Sequence, residues 1–151
     1  MRILLQVVKQ AAVSINDTTI SKIGPGMLLF IGFTKDDDEA VVEQMVAKVL
    51  GLRIFPDENG KTNLNIQSIN GEILSVSQFT LYANTKKGRR PSFVDALGGT
   101  RAKELYEYFN QVLKEKYPHV QEGEFGANMQ VSLINDGPVT IWLDSKELYG
   151  E

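Results

Sequence analysis

The sequence predicts an α+β fold: one domain over residues 1–151, in which a mixed or antiparallel β-sheet curls into a barrel with two main helices. The length of 151 residues suits one domain, and 42% hydrophobic and 23% charged residues are ordinary for a globular protein. Strand-like segments come in runs instead of alternating strictly with helices, which favours α+β.

Apolar runs and turn residues predict about seven strands. Asn16 and Asp17 form a two-residue turn between residues 11–15 and 18–23, which is typical of a β-hairpin. The other strands are predicted at residues 2–8, 27–33, 72–81, 128–134 and 139–143, and residues 53–55 are expected to be short and extended.

Two segments carry the periodicity of amphipathic helices. The first opens with acids at residues 36–39, where negative charge suits the positive end of the helix dipole, and Gly51 is its predicted end. The second is predicted to begin with Thr100 as its cap and to end at Pro118. The inner faces comprise Val42, Met45, Val46 and Val49 in the first helix and Ala102, Leu105, Tyr106, Phe109, Val112 and Leu113 in the second.

The cysteine and histidine content excludes several kinds of active site. Without cysteine there is no disulfide, no thiolate chemistry and no Cys–His pair. The one histidine, His119, follows Pro118 at the end of the second helix and is interpreted as a surface or capping residue. A zinc site of several His and Cys ligands is therefore excluded, and nothing favours a Ser–His–Asp triad. Chemistry is expected from backbone groups, hydroxyls, carboxylates or the substrate itself.

Charge and the first residues indicate location and partners. A net charge of −3 argues against a protein that coats nucleic acid by bulk electrostatics, but it allows a local basic patch. The N-terminal apolar run of about six or seven residues is too short for a signal peptide or a membrane span. We expect a cytoplasmic protein without a membrane partner, which also fits the lack of cysteine.

Residues 77–81 combine polar and apolar side chains in a predicted strand. Alternation would place Gln78 and Thr80 on one face and Ser77 and Phe79 on the other. The structural interpretation, favoured from the residues alone, is that the polar groups tie down neighbouring loops. The functional alternative is a nucleophile at Ser77 or Thr80, although no activating base is visible.

Residues 135–140 read Asn-Asp-Gly-Pro-Val-Thr and separate the last two predicted strands. A plain turn accounts for this composition. The alternative depends on the Gly137–Pro138 peptide bond, since a cis bond would aim two successive carbonyls in one direction.

Two more segments suit an RNA ligand. A run of four bases within residues 86–90 is either a solvated loop or a phosphate-docking loop. Phe125 and Met129 are interpreted as core residues, with stacking on a base as the alternative. The four bases are Lys86, Lys87, Arg89 and Arg90.

Taken together, these segments resemble the D-aminoacyl-tRNA deacylase family, also described as D-tyrosyl-tRNA deacylases. The resemblance runs almost from Met1 to Asp144, with an SQxxL-type segment at residues 77–81 and an NxGPxT segment at residues 135–140. The stretches LRIFPDENGKTNLNI, KKGRRPSF and FGANMQVSL are also similar to family sequence. Each motif alone is weak, but all of them in this order at these spacings are highly specific.

The resemblance implies the D-aminoacyl-tRNA deacylase fold and a homodimer with active sites at its interface. The implied activity is hydrolysis of the ester of D-aminoacyl-tRNA, a proofreading step in translation quality control. Gly137–Pro138 would be cis and would enter the partner subunit's active site, where its carbonyls exclude the side chain of an L-amino acid. Glycine has no side chain, so mischarged glycyl-tRNA is expected to enter as well. No metal or organic cofactor is implied.

The resemblance also implies roles for individual residues. The terminal adenosine would lie against Phe125 and Met129, and the four bases at residues 86–90 would bind tRNA. The catalytic segment Ser77, Gln78, Phe79 and Thr80 would bind the aminoacyl end. Backbone N–H groups of Phe79 or Thr80 would polarise the ester carbonyl. The favoured mechanism uses the RNA 2′-hydroxyl to help activate water while Thr80 positions the substrate; Thr80 as covalent nucleophile is the alternative.

One residue departs from the family pattern. Family members commonly carry Arg, in a QRV segment, where this chain has Val7, and Gln10 replaces another frequent base. Val7 has no hydrogen-bond donor on its side chain. If that Arg helps to hold the Gly–Pro carbonyls, another residue must substitute here, or selection of the D form is looser.

Two other functions compete with this interpretation. A catalytically silent RNA-binding module would keep the phosphate contacts of residues 86–90 without turnover. A general esterase would use Thr80 or Ser77 and would also hydrolyse a small ester that lacks RNA.

Overall fold

The computed structural model describes residues 1–150, and Glu151, the last residue of the predicted domain, lies outside them. The strands are β1 (Arg2–Ile15), β2 (Thr18–Ile23), β3 (Gly26–Gly32), β4 (Phe55–Pro56), β5 (Thr62–Leu64), β6 (Glu72–Ser77), β7 (Val120–Glu122) and β8 (Gln130–Asp144). The helices are α1 (Glu39–Gly51), α2 (Gly99–Lys116) and the short α3 (Ser145–Tyr149), with 3₁₀ turns at Gln67–Ile69 and Phe79–Tyr82.

Strand β1 organises the main sheet because it has partners on both edges. One edge pairs antiparallel with β3 in its first half and with β2 in its second half, and the other edge pairs antiparallel with β8. Strand β3 pairs in parallel with β6, and β6 with β7. The Ser21 hydroxyl of β2 donates to the Glu122 carbonyl of β7, so the sheet curls round until it nearly closes. This confirms the predicted α+β fold with a curled, mixed sheet.

The two long helices cover one face of the sheet with the apolar stripes that the sequence predicts. Asp38 caps α1 by accepting a hydrogen bond from the Val41 N–H at 3.0 Å. The predicted inner residues of both helices are buried, and the main core lies between them and β1, β3 and β6. Burying such aliphatic side chains contributes about 1.5–3 kcal/mol each before conformational entropy is counted. This packing places the start of α2 beside the ends of β3 and β6.

Several predicted element boundaries are wrong. Residues 2–8 and 11–15 form one strand, and so do residues 128–134 and 139–143 from Gln130 onward, because β1 and β8 pair along nearly their whole length. The cap of α2 is Gly98 and not Thr100, since the chain enters the helix through a left-handed residue at Gly99. No helix within residues 1–150 is both long enough and apolar enough to cross a membrane.

The predicted strand at residues 72–81 ends early, at Ser77. Its parallel partner β3 ends at Gly32, and the last ladder bond runs from the Gln78 N–H to the Ile31 carbonyl at 2.7 Å. A Cβ added to Gly32 would lie 2.7 Å from the Gln78 carbonyl oxygen, so this glycine lets the chain turn closely past β3. The 3₁₀ turn Phe79–Tyr82 follows, and strand alternation does not extend to Phe79 and Thr80.

Candidate active site

A cleft of about 410 Å³ opens where β3 and β6 end. One wall is the end of β6 and the turn after it, and a second is the start of α2. The third wall is the loop between β7 and β8. The lining residues are Ile31, Gly32, Phe33, Val76, Ser77, Gln78, Phe79, Leu97, Gly98, Gly99, Ala102, Phe125, Gly126, Ala127, Asn128, Met129 and Val131.

The cleft wall carries no titratable side chain among the described residues. Its polar side chains are the hydroxyl of Ser77 and the amides of Gln78 and Asn128, and backbone groups supply the rest. His119, predicted to be a surface residue, is exposed, and its ring packs on Tyr117 with 5.3 Å between the ring centres. Residues 1–150 also contain no cluster of three or more His, Cys, Asp or Glu residues that could hold a metal ion. The wall therefore offers hydrogen-bond donors but no general base.

The turn after β6 presents backbone donors beside the cleft. A helical turn leaves its first N–H groups without partners. No group in the described chain accepts a hydrogen bond from the N–H of Phe79 or of Thr80. The Phe79 side chain lines the cleft and is 54% exposed. Two free N–H groups at such a mouth can stabilise negative charge on a bound carbonyl oxygen.

Thr80 lies at the edge of this arrangement. Its side chain is exposed and is not part of the cleft wall, unlike Ser77, Gln78 and Phe79. The Gln78 Nε2 atom donates to the Thr80 hydroxyl oxygen at 2.6 Å. A primary amide does not accept the proton that a nucleophilic hydroxyl must lose, so this partner orients Thr80 without activating it.

The two residues predicted to contact a base, Phe125 and Met129, both line the cleft. The Phe125 ring packs against Tyr106 of α2, with 6.0 Å between the ring centres, and the Met129 sulfur accepts a hydrogen bond from the Glu124 N–H at 3.4 Å. Each is only partly buried. They border the core on one side and the cleft on the other, which combines the two roles that the sequence left open.

Sequence reasoning missed a buried polar cluster beneath this wall. The Tyr106 hydroxyl donates to the Ser75 carbonyl at 2.9 Å, and the Ser75 hydroxyl donates to Asn110 Oδ1 at 2.7 Å. The Ser75 carbonyl also accepts from the Gly123 N–H at 2.8 Å, where the cleft loop begins. Burial raises the pKa of the Tyr106 hydroxyl, which therefore stays a proton donor at neutral pH. The available signal was Asn110, a polar residue within the apolar stripe of α2.

Gly137 and Pro138 lie away from the cleft of their own chain. Both are exposed in a bulge of β8, and the peptide bond between them is cis. Neither residue lines the cleft. Val7, on the neighbouring stretch of β1, is 6% exposed and packs in the main core.

The basic loop, defined as residues 84–92, projects beyond the turn that carries Thr80. Asn84 and Ser92 close it through two backbone hydrogen bonds of 2.8 and 2.9 Å. Its four bases are exposed, and within residues 1–150 none of them makes an ion pair. They lie outside the cleft and are free to meet an anionic ligand there. The bases are Lys86, Lys87, Arg89 and Arg90.

Comparison with known proteins gives consistent matches over nearly the whole chain. A family model described as D-Tyr-tRNA(Tyr) deacylase matches residues 4–144. A D-aminoacyl-tRNA deacylase from Lactobacillus gasseri is 56% identical over 144 residues, which cover 95% of this chain and 99% of the relative. A D-aminoacyl-tRNA deacylase from Thermosipho africanus is 50% identical over 149 residues, which cover 99% of this chain and 100% of the relative.

Solved structures share the fold. One named c-Myc DNA Unwinding Element Binding Protein superposes with a TM-score of 0.91 at 39% identity, covering 95% of this chain and 98% of that one. Another, at 18% identity, superposes with a TM-score of 0.85 over 94% of this chain and 97% of its own, and shows the fold alone.

Proposed function

From the premise that this chain belongs to the D-Tyr-tRNA(Tyr) deacylase family and is a hydrolase of D-aminoacyl-tRNA, we propose how its cleft performs that reaction. The cleft takes the aminoacylated 3′ end of tRNA, and the substrate supplies the groups that activate water. The observation that carries this proposal is the cleft wall itself, which has no titratable side chain and includes Phe79, whose backbone N–H is free, next to the free N–H of Thr80. We place the reaction in the cytoplasm, as a proofreading step in translation.

The terminal adenosine binds against Phe125 and Met129. An aromatic ring and a thioether offer a base two apolar surfaces, and stacking of this kind tolerates solvent at the edges. The contact between Phe125 and Tyr106 holds the ring at the wall before the ligand arrives. This placement puts the ribose between the loop after β7 and the turn after β6.

The ester carbonyl lies against the N–H groups of Phe79 and Thr80. As water attacks the carbonyl carbon, negative charge grows on the carbonyl oxygen, and the two donors stabilise it. The neighbouring 2′-hydroxyl of the ribose relays the proton of the water to the departing 3′ oxygen. The bond between carbonyl carbon and 3′ oxygen breaks, giving free amino acid and tRNA. Thr80, held by Gln78, orients the substrate and forms no bond to it.

Selection of the D form belongs to Gly137 and Pro138 of a second subunit. Both residues are exposed in the β8 bulge and do not line the cleft of their own chain, which suits insertion into a neighbouring cleft. Their carbonyl groups occupy the space that an L side chain needs, so the L ester is rejected by exclusion. Glycine carries no side chain, and we propose glycyl-tRNA as a further substrate.

The second subunit docks on the exposed face of β8, as a homodimer with active sites at the interface. Large apolar side chains are exposed on this strand, with Ile134 at 49% and Trp142 at 43%. They flank the Gly137–Pro138 bulge on both sides. A face of this kind on a monomer marks an interaction site, and a two-fold arrangement would bring each bulge to the other subunit.

The basic loop binds the tRNA backbone. Guanidinium and ammonium groups pair with phosphates, and the loop lies beyond the turn that holds the ester. One solved relative is named c-Myc DNA Unwinding Element Binding Protein, a name that describes DNA binding. A silent nucleic-acid-binding module is therefore the second candidate for this chain.

Parallel assays with D-Tyr-tRNA and L-Tyr-tRNA test the proposal. We expect fast loss of the D ester, slow loss of the L ester and measurable loss from glycyl-tRNA. Equal loss of both chiral esters would contradict exclusion by Gly137 and Pro138. Binding of tRNA without loss of any ester would favour the silent module. Hydrolysis of a tyrosine ester that lacks RNA would contradict the role given to the ribose hydroxyl.

A further inference from the structure

The pairing between β1 and β8 is irregular at two adjoining places, between Gln6 and Val8 and between Val8 and Gln10, and the larger irregularity lies opposite Val7. Gln6 pairs with Thr140 and Val8 pairs with Asn135, so Val7 alone faces the bulge at residues 136–139. An extended bulge of this size loses the ladder hydrogen bonds that hold the rest of the strand. Because the bulge contains Gly137 and Pro138, something else must fix its shape.

The side chain of Asn135 spans the bulge. Its Oδ1 atom accepts a hydrogen bond from the Val139 N–H at 2.8 Å, and its Nδ2 atom donates to the Val139 carbonyl at 3.2 Å. One side-chain amide thus forms hydrogen bonds with both the N–H and the carbonyl of Val139, as the backbone of a neighbouring strand would. This closes the turn at its base, with Gly137 and Pro138 at its tip.

A second link ties the closed turn to β1. The Nδ2 atom of Asn135 also donates to the Thr140 hydroxyl at 3.0 Å, and the Gln6 side-chain amide donates to the same hydroxyl at 3.2 Å. The turn is therefore fixed to β1 through the side chain of Gln6, which precedes Val7. Val7 itself is buried and has no side-chain donor.

The tip leaves no room for a side chain at its glycine. Gly137 has φ of 148°, and a Cβ there would lie 2.7 Å from a Val139 side-chain carbon and 2.8 Å from the Val139 nitrogen. Val139, which Asn135 clamps, thus lies close beside Gly137.

We propose that Asn135, acting through Val139 and Thr140, is the positioning residue that sets discrimination between D and L esters. The inference rests on the proposed function, in which Gly137 and Pro138 exclude the L side chain. Exclusion by backbone carbonyls needs a rigid tip, because a tip that can move aside would make room for the side chain of the L ester. Asn135 touches no substrate and acts by holding the turn.

The test combines two readouts on Asn135→Ala, Asn135→Asp, Thr140→Val and Thr140→Ser. The first is the exchange rate of the Val139 amide hydrogen, measured by NMR on the whole protein. The second is the ratio of initial rates on D-Tyr-tRNA and L-Tyr-tRNA. The matched control is Gln44→Ala, which removes an exposed side-chain amide on α1, away from the cleft and from β8.

We expect Asn135→Ala to speed exchange at Val139 and to lower the D/L ratio about tenfold, because losing a set of hydrogen bonds of this kind changes an equilibrium by roughly that factor. The D/L ratio falls because the variant hydrolyses the L ester faster. Asn135→Asp keeps the acceptor for the Val139 N–H and retains its protection in part. Thr140→Ser and Gln44→Ala keep the wild-type ratio, while Thr140→Val lowers it.

The outcomes separate the two proposals. A merely structural role for Asn135 lowers both rates together and leaves the ratio unchanged, which overturns the inference. A wild-type ratio near one overturns exclusion by Gly137 and Pro138, whatever the exchange data show. A discriminating wild type whose Asn135→Ala variant keeps both the ratio and the Val139 protection overturns the inference alone.

Discussion

The side-chain amide of Gln78 donates a hydrogen bond to the hydroxyl of Thr80, with 2.6 Å between the two atoms. This contact joins two residues of the turn that follows β6. The neighbour of the Thr80 hydroxyl is therefore a hydrogen-bond donor. A threonine nucleophile needs the opposite, a group that removes its proton. The contact therefore favours a positioning role for Thr80 over a nucleophilic one.

We expect Thr80→Ala to lower the rate on D-Tyr-tRNA about tenfold, since the loss of one orienting hydrogen bond costs about 1–1.5 kcal/mol. Single-turnover measurements with D-Tyr-tRNA check this. Thr80→Ser, which keeps the hydroxyl, serves as the control and should retain most of the rate. A loss of a thousandfold or more in Thr80→Ala, or a trapped acyl-enzyme, would make Thr80 the nucleophile.

The cleft wall predicts a binding defect when its apolar surfaces are removed. Phe125→Ala and Met129→Ala should each raise the KM for D-Tyr-tRNA about tenfold or more, since base stacking contributes about 1–3 kcal/mol per base. The effect on kcat should be small. Met129→Leu keeps an apolar surface and is the control. If a folded Phe125→Ala variant has an unchanged KM, the adenosine does not bind against this wall of the cleft.

The basic loop predicts a salt-dependent effect that is confined to full-length tRNA. Exchanging Lys87 and Arg90 together for Ala should weaken binding and reduce the slope of log K against log salt by about one to two, since each phosphate that is no longer neutralised accounts for about 0.7–0.9 of that slope. D-tyrosyl-adenosine, which lacks those phosphates, should be hydrolysed as before. The control exchanges Lys103 and Lys116 of α2, two exposed lysines. If the control variant weakens tRNA binding equally, the effect of the loop variant comes from the change in net charge and not from the position of the basic loop.

Local pattern predicted the helices well, because each buries one face. The stripe from Val42 to Val49 and the face of α2 follow from spacing alone, and both are buried. The end of β6 at Ser77 depends on where its partner β3 ends and on the close passage at Gly32, which are tertiary facts. The same reason explains why two predicted strands merge into β8: continuity comes from pairing with β1.

The sequence indicates several of the residues that line the cleft, but residue spacing alone does not show how they are arranged. Phe79, Phe125 and Met129 were singled out from separate segments, and the fold places them around one cleft. The sequence does not predict the hydrogen bond between Asn110 and Ser75 or the one between Asn135 and Val139, because it does not show which groups a side-chain amide contacts. Hydrogen bonds between distant or bulged segments are specified by geometry that spacing does not contain.

The exposed face of β8 predicts a dimer. Exchanging Ile134 and Trp142 together for Glu should give a monomer in light scattering, because charge on an apolar interface opposes its burial. The D/L ratio of the monomer should fall at least about tenfold, since each cleft loses the partner's Gly137 and Pro138. Leu148→Glu, at an exposed leucine of α3, is the control. A monomeric wild type that still discriminates would refute insertion between subunits.

A contact between the start of β1 and the end of β8 predicts how stability depends on pH. Arg2 Nε donates to Asp144 Oδ2 at 3.0 Å, and Arg2 Nη1 donates to the Leu81 carbonyl at 2.9 Å, at the end of the 3₁₀ turn. Burial raises the pKa of the Asp144 carboxyl, but hydrogen bonds from Arg2 and from the Lys146 N–H outweigh it, so the pKa lies below its usual value. The charged form of Asp144 is therefore the one that stabilises the fold.

Because the pKa is lower in the folded state, the stabilisation is present above the ordinary aspartate pKa and is lost as the pH falls through the folded pKa. Asp144→Asn should lower the free energy of unfolding at pH 7 by about 1 kcal/mol, a value discounted for solvent near the pair. The difference from wild type should narrow as the pH falls below about 4. Urea denaturation at a series of pH values measures this, with Asp36→Asn at an exposed aspartate as the control. A difference that stays constant down to the acid limit would assign the loss to packing of residue 144 and not to its charge.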